Sequence, residues 1–123
     1  MDNEKRNALN RRVCRALIQT MNENGWTAVK ADDENLRGLT LHEKVEMIFN
    51  LDGAEIMFKK TVSVPDSAEI RLKKNVPWHI VVFTPYNTGI ECIADWSYGH
   101  EGDEFSKLMD AFTDDPKWER AAA

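Results

Sequence analysis

The sequence predicts an α+β fold: an antiparallel sheet of about four strands in a meander, with N-terminal, middle and C-terminal helices on one face. Three observations carry that prediction. Both ends of the chain hold apolar residues at helical spacing, and the interior switches to a period of two. Turn chemistry at Pro65-Asp66-Ser67 and from Pro85 to Gly89 then cuts the interior into short strands. With 123 residues, 42% of them apolar and 30% charged, the chain suits one globular domain. That domain is expected over 1–120, with Ala121-Ala122-Ala123 set apart as vector-derived.

The first helix is expected over about 4–23. Asn3 can cap it, Leu9, Val13, Leu17 and Met21 recur every fourth residue, and Gly25 supplies a left-handed stop. Residues 26–30 form a short β-prone piece. From Thr40 to Gly53 two readings compete. Asp52-Gly53 between apolar runs is a hairpin signal. Thr40 and Glu43, however, make a capping box ahead of the helical face Leu41, Val45, Ile48 and Phe49, which favours a helix over 41–51.

Alternation at Ile56, Phe58, Val62 and Val64 then predicts one strand, and Ile70 and Leu72 a second. The run from Trp78 to Thr84 is apolar on both faces, so it is expected at the sheet centre, with Trp78 as an anchor. Ile90 to Trp96 makes the fourth strand. Asp103 caps the last helix, in which Phe105, Leu108, Met109 and Phe112 form one stripe and Asp114-Asp115-Pro116 the stop. Ile80, Val82, Ile90, Phe105, Leu108 and Phe112 are expected in one core, with Trp96 on its side.

Charge is polarised along the chain. The formal net charge is −5, yet within residues 1–15 five cations face two acids, a balance of +3. Residues 95–123 hold eight acids against three cations, a balance of −5. Arg11, Arg12 and Arg15 share one side of the first helix and could meet an anionic partner, although a solvated face is the plainer reading. No aromatic residues interleave with them, and the acidic balance argues against duplex DNA.

Catalytic and metal signatures are missing from the sequence. His42, His79 and His100 show no metal-ligand spacing. The loop 95–104 has acids, but position six of a calcium loop would be His100 and position twelve Ser106. Cys14 and Cys92 lack a base or a redox motif. No cofactor, no metal and no catalytic residue is therefore expected. Partner binding is assigned to Tyr98, Glu101, Asp103 and Glu104 in the strand-to-helix loop, to Trp118 beyond Pro116, and to Arg11, Arg12 and Arg15. The first dozen residues have no apolar leader and no apolar run is long enough to span a bilayer, so no membrane contact and a cytoplasmic location are expected.

The runs VEMIFNLDGAEIMFKK and PWHIVVFTPYNTGIECIADWS resemble small accessory proteins of tailed phages and prophages, over about residues 40–98. The resemblance implies a mobile-element protein, a class rich in small acidic inhibitors of host enzymes and defence systems. It carries over no functional residue. The expected function is a non-enzymatic macromolecule-binding module, a phage or mobile-element inhibitor of a host defence or nucleic-acid-processing protein. Its partner is then a host protein or complex, and a homodimer stays open. The alternatives are a toxin-neutralising immunity protein and a small metal-dependent hydrolase or nucleotide-handling enzyme using Asp95, His100 and Glu101.

Overall fold

The computed structural model describes residues 2–61, 76–96 and 104–122. Helix α1 runs over Asn3–Glu23 and is capped by Asp2, one residue before the expected cap, whose Oδ1 accepts from the Lys5 amide at 2.8 Å. Leu9, Val13, Leu17 and Met21 are buried along one stripe, with Asn10, Cys14 and Ile18 beside them. Gly25, at φ +88°, turns the chain into strand β1, Trp26–Ala31, and a hairpin leads to the two-residue edge strand β2, Glu34–Asn35. The expected β-prone piece is thus an inner strand of the sheet.

Helix α2 spans Leu41–Asn50, and its capping box forms in both directions. Glu43 N donates to Thr40 Oγ1 at 3.1 Å, and Thr40 N donates to Glu43 Oε1 at 2.9 Å. Asp52-Gly53, both at positive φ, end the helix, and strand β3 follows over Ala54–Lys60. The proposed strand extension at Val62 and Val64 and the strand at Ile70 and Leu72 lie outside the described residues. In the sheet β3 pairs directly with β4, Trp78–Phe83, with Met57 opposite Ile80. The full order is β2-β1-β3-β4-β5 with every pairing antiparallel, five strands where the sequence suggested about four.

Two bulges decide which side chains face inward. Val29 is the extra residue of β1, so Trp26, Ala28 and Ala31 all reach the core despite their uneven spacing. Ala94 is the extra residue of β5, Ile93–Trp96, and lets both Ile93 and Trp96 lie on the core side. The last strand begins at Ile93 rather than Ile90, because Gly89–Cys92 winds into a 3₁₀ turn. On β4 the core face is His79, Val81 and Phe83. The expected core members Ile80 and Val82 lie on the opposite face, and Trp78 is 44% exposed instead of anchoring the interior. A strand apolar at every position gives alternation nothing to choose with.

Helix α3, Glu104–Thr113, buries Phe105, Met109 and Phe112, with Leu108 packed at the margin. Asp115 Oδ1 accepts from Lys117 N at 3.0 Å and starts a further short helix, α4, over Lys117–Ala122. The sequence reading stopped at Pro116 and set the closing alanines apart. The helix instead continues through Ala121, which packs against the core. The described helices contribute to one apolar cluster on a single side of the sheet. Its densest part is aromatic: His79 stacks on Phe105 at 4.2 Å between ring centres, and Trp26 stands edge-on to both at 5.0 and 5.1 Å.

Candidate partner-binding surface

The basic residues of α1 do not form one patch. Arg11 Nε donates to Glu46 Oε1 at 3.0 Å, and its guanidinium lies 4.5 Å from the Phe49 ring centre. Arg15 Nη2 approaches His42 Nδ1 at 3.5 Å. Arg12 points the other way, 5.9 Å from the Trp118 ring centre. Arg11 and Arg15 therefore tie α1 to α2, whereas Arg12 covers α4. Each exposed contact is worth at most about 1 kcal/mol, so all three remain available in energy. They are nevertheless separated in space.

Trp118 is a correction. It is 2% exposed, and its indole Nε1 donates to the Phe112 carbonyl at 3.0 Å, so it is a core residue and offers nothing to a partner. Glu104 is exposed and pairs with Lys60 Nζ at 3.2 Å. Tyr98, Glu101 and Asp103, together with His100, lie outside the described residues.

Thiol chemistry finds no support in the geometry. Cys14 on α1 and Cys92 at the 3₁₀ turn are both buried and unlinked. Burial pushes the Cys92 thiol up to about 12, and it raises Cys14 further, with the neighbouring Cys92 adding to the effect. The native protein is expected to show no reaction with Ellman's reagent at mildly alkaline pH, and full reaction once unfolded. Rapid modification of the folded chain would mean an accessible, activated thiol.

The side of the sheet opposite the helices is the more informative surface. Strand register places Lys59 beside Trp78, Met57 beside Ile80, and Glu55 beside Val82 and Asp95. From β1, Thr27 lies beside Lys59 and Lys30 beside Met57. Trp78 is exposed, and Met57, Ile80 and Val82 are half-buried. At the β1–β2 end a groove of about 410 Å³ opens, lined by Val29, Lys30, Asp33, Asn35, Arg37, Met57 and Lys59. Neither Lys30, Arg37 nor Lys59 makes an ion pair with any described residue.

A second cavity, about 260 Å³, lies between the start of α1 and the end of α2. Tyr86, 60% exposed, donates its hydroxyl to the Asp52 carboxylate there, which raises the tyrosine's pKa. Arg6 and Arg11 face Asp52 in that cavity and Glu46 holds Arg11, so its charges balance locally.

Sequence reasoning missed Lys30, Arg37, Lys59 and Trp78. Alternation could have put Lys59 opposite Phe58 on its own strand. Only the pairing of β1, β3 and β4, which no local pattern encodes, brings these residues to one place. Among the described residues no helix is long and apolar enough to cross a membrane, and no three His, Cys, Asp or Glu side chains are grouped to hold a metal. No protein-family model, curated protein or solved structure matches the chain.

Proposed function

We propose that the chain is a non-enzymatic binding module that acts by occupying a protein partner, and that this partner is a host protein engaged by a phage or mobile-element inhibitor. One observation carries the binding reading. The sheet face away from the described helices holds an exposed Trp78 in line with half-buried Met57, Ile80 and Val82, flanked by charges of both signs. An aromatic anchor within an apolar row and a charged rim is the anatomy of a protein interface. A tryptophan at 44% exposure leaves apolar area in water that a partner would remove, at roughly 25 cal/mol per Å². The host-directed part rests on the resemblance of residues 40–98 to phage accessory proteins.

Photo-cross-linking tests the reading. With p-benzoylphenylalanine in place of Trp78, discrete adducts are expected in a bacterial host lysate. The same group in place of Glu23, exposed at the far end of α1, should give none of these bands. Identical patterns from both positions would place binding elsewhere on the molecule, and no adduct from either would remove the module reading.

A further inference from the structure

We propose that the groove at the β1–β2 end of the open sheet face takes an acidic, apolar-interleaved segment of a protein partner, with carboxylates on Lys30, Arg37 and Lys59 and apolar side chains on Val29, Met57 and Trp78. The inference rests on the binding-module reading and names the chemistry that the surface selects. In a chain of net charge −5, the nearest compensation for a cation is abundant. Lys60 and Lys117 have carboxylate partners, as does Arg11. Lys30, Arg37 and Lys59 are gathered around one concavity and have none among the described residues. Their lining neighbour Asp33 is the single acid of the groove, which leaves it at +2.

The floor is apolar. Val29 and Met57 form it, and Lys59 lies next to Trp78 by register, so the cationic groove continues into the aromatic row. Charge at the rim would speed encounter and fix orientation, while the apolar floor supplies the area to be dehydrated. Arg37 is suited to grip a carboxylate through two parallel hydrogen bonds, and the lysines act as point charges.

A single-stranded nucleic acid is the rival anion, and the same face argues against it. Strand binding uses successive aromatic platforms, whereas Trp78 is followed along β4 by Ile80 and Val82. Glu55 and Asp95 stand at the other end of the row, where a continuing phosphate chain would meet like charge. A folded or extended protein segment can change its own charge along its length and avoid that clash.

Fluorescence anisotropy with three labelled probes tests the proposal: a short peptide alternating Glu with Leu and Phe, its Gln counterpart, and oligothymidylate of similar length. The acidic peptide is expected to bind in the micromolar range at low salt, at least about tenfold more tightly than the Gln peptide, and to weaken as salt is added. The double variant Lys30→Glu/Lys59→Glu, with its thermal midpoint unchanged, should lose about tenfold or more. Should that variant unfold, Arg37→Gln on the exposed loop serves instead. Equal affinity for the acidic and Gln peptides, tighter binding of oligothymidylate, or no effect of the charge variants would each overturn the inference. Cross-links at position 78 that persist in the charge-reversed variant would overturn it while leaving the binding module intact.

Discussion

Replacing Asn10 with alanine is expected to destabilise the protein by about 3–5 kcal/mol, a large share of the roughly 5–15 kcal/mol that holds a domain of this size folded. Asn10 is fully buried on α1 and makes three hydrogen bonds to a segment more than 70 residues away. Its Nδ2 donates to the carbonyls of Pro85 at 3.0 Å and Asn87 at 2.7 Å, and its Oδ1 accepts from Gly89 N at 2.7 Å. One amide thus satisfies the backbone of a turn that has no sheet partner. Alanine would strand two acceptors and one donor, each costing about 1–3 kcal/mol when left buried and unpaired. Gly89 compounds the constraint: it sits at φ +67°, and a Cβ there would lie 3.3 Å from Leu9 Cδ2. Aspartate in place of Asn10 keeps the size but loses both donors and adds a buried charge, so it should be worse at neutral pH than in mild acid. Urea denaturation of both variants is the measurement. An alanine variant within about 1 kcal/mol of the parent would mean that the turn is held by something other than this amide.

The same residue shows where sequence reading reached and where it stopped. Helical periodicity located α1, α2 and α3, because a stripe of apolar residues every three or four positions has one structural solution. Asn10, however, falls beside that stripe as a polar residue, and nothing local announces that it is a clamp for residues 85–89. The strand at 78–83 was legible as a strand, but not its inward face, since Trp78, Ile80 and Val82 are as apolar as Val81 and Phe83. Trp118 was misread because Pro116 does end α3, and a terminator was taken as the end of structure. The indole's partner, the Phe112 carbonyl, lies just six residues back. Arg11, Arg12 and Arg15 were visible as a cluster in sequence, while the residues that divide them, Glu46, His42 and Trp118, belong to elements whose placement only the fold supplies. The open-face groove was invisible for the same reason, being a product of strand order.

Truncating Phe105 to alanine is the other change expected to cost most, about 3–5 kcal/mol, the usual range for removing a buried phenylalanine. Phe105 is 1% exposed in the first turn of α3 and is the meeting point of three strands. Its ring stacks on His79 of β4 with an interplanar angle of 4°, receives the edge of Trp26 of β1, and lies 5.9 Å from Phe58 of β3. Each aromatic contact adds about 0.5–1.5 kcal/mol to the area term, so a rigid cavity should fall at the upper end of the range. Leucine at 105 refills most of the volume but cannot stack, and its cost should be about half that of alanine. The two variants separate volume from ring geometry. Equal losses would show that stacking on His79 contributes little, and a loss below about 1 kcal/mol for alanine would mean that α3 is not seated on the sheet through this residue. Because His79 and Trp78 are consecutive on β4 and point to opposite faces, the same truncation reaches the open side. Loosening the packing beneath β4 should weaken any partner that docks on Trp78, even though Phe105 itself never touches it.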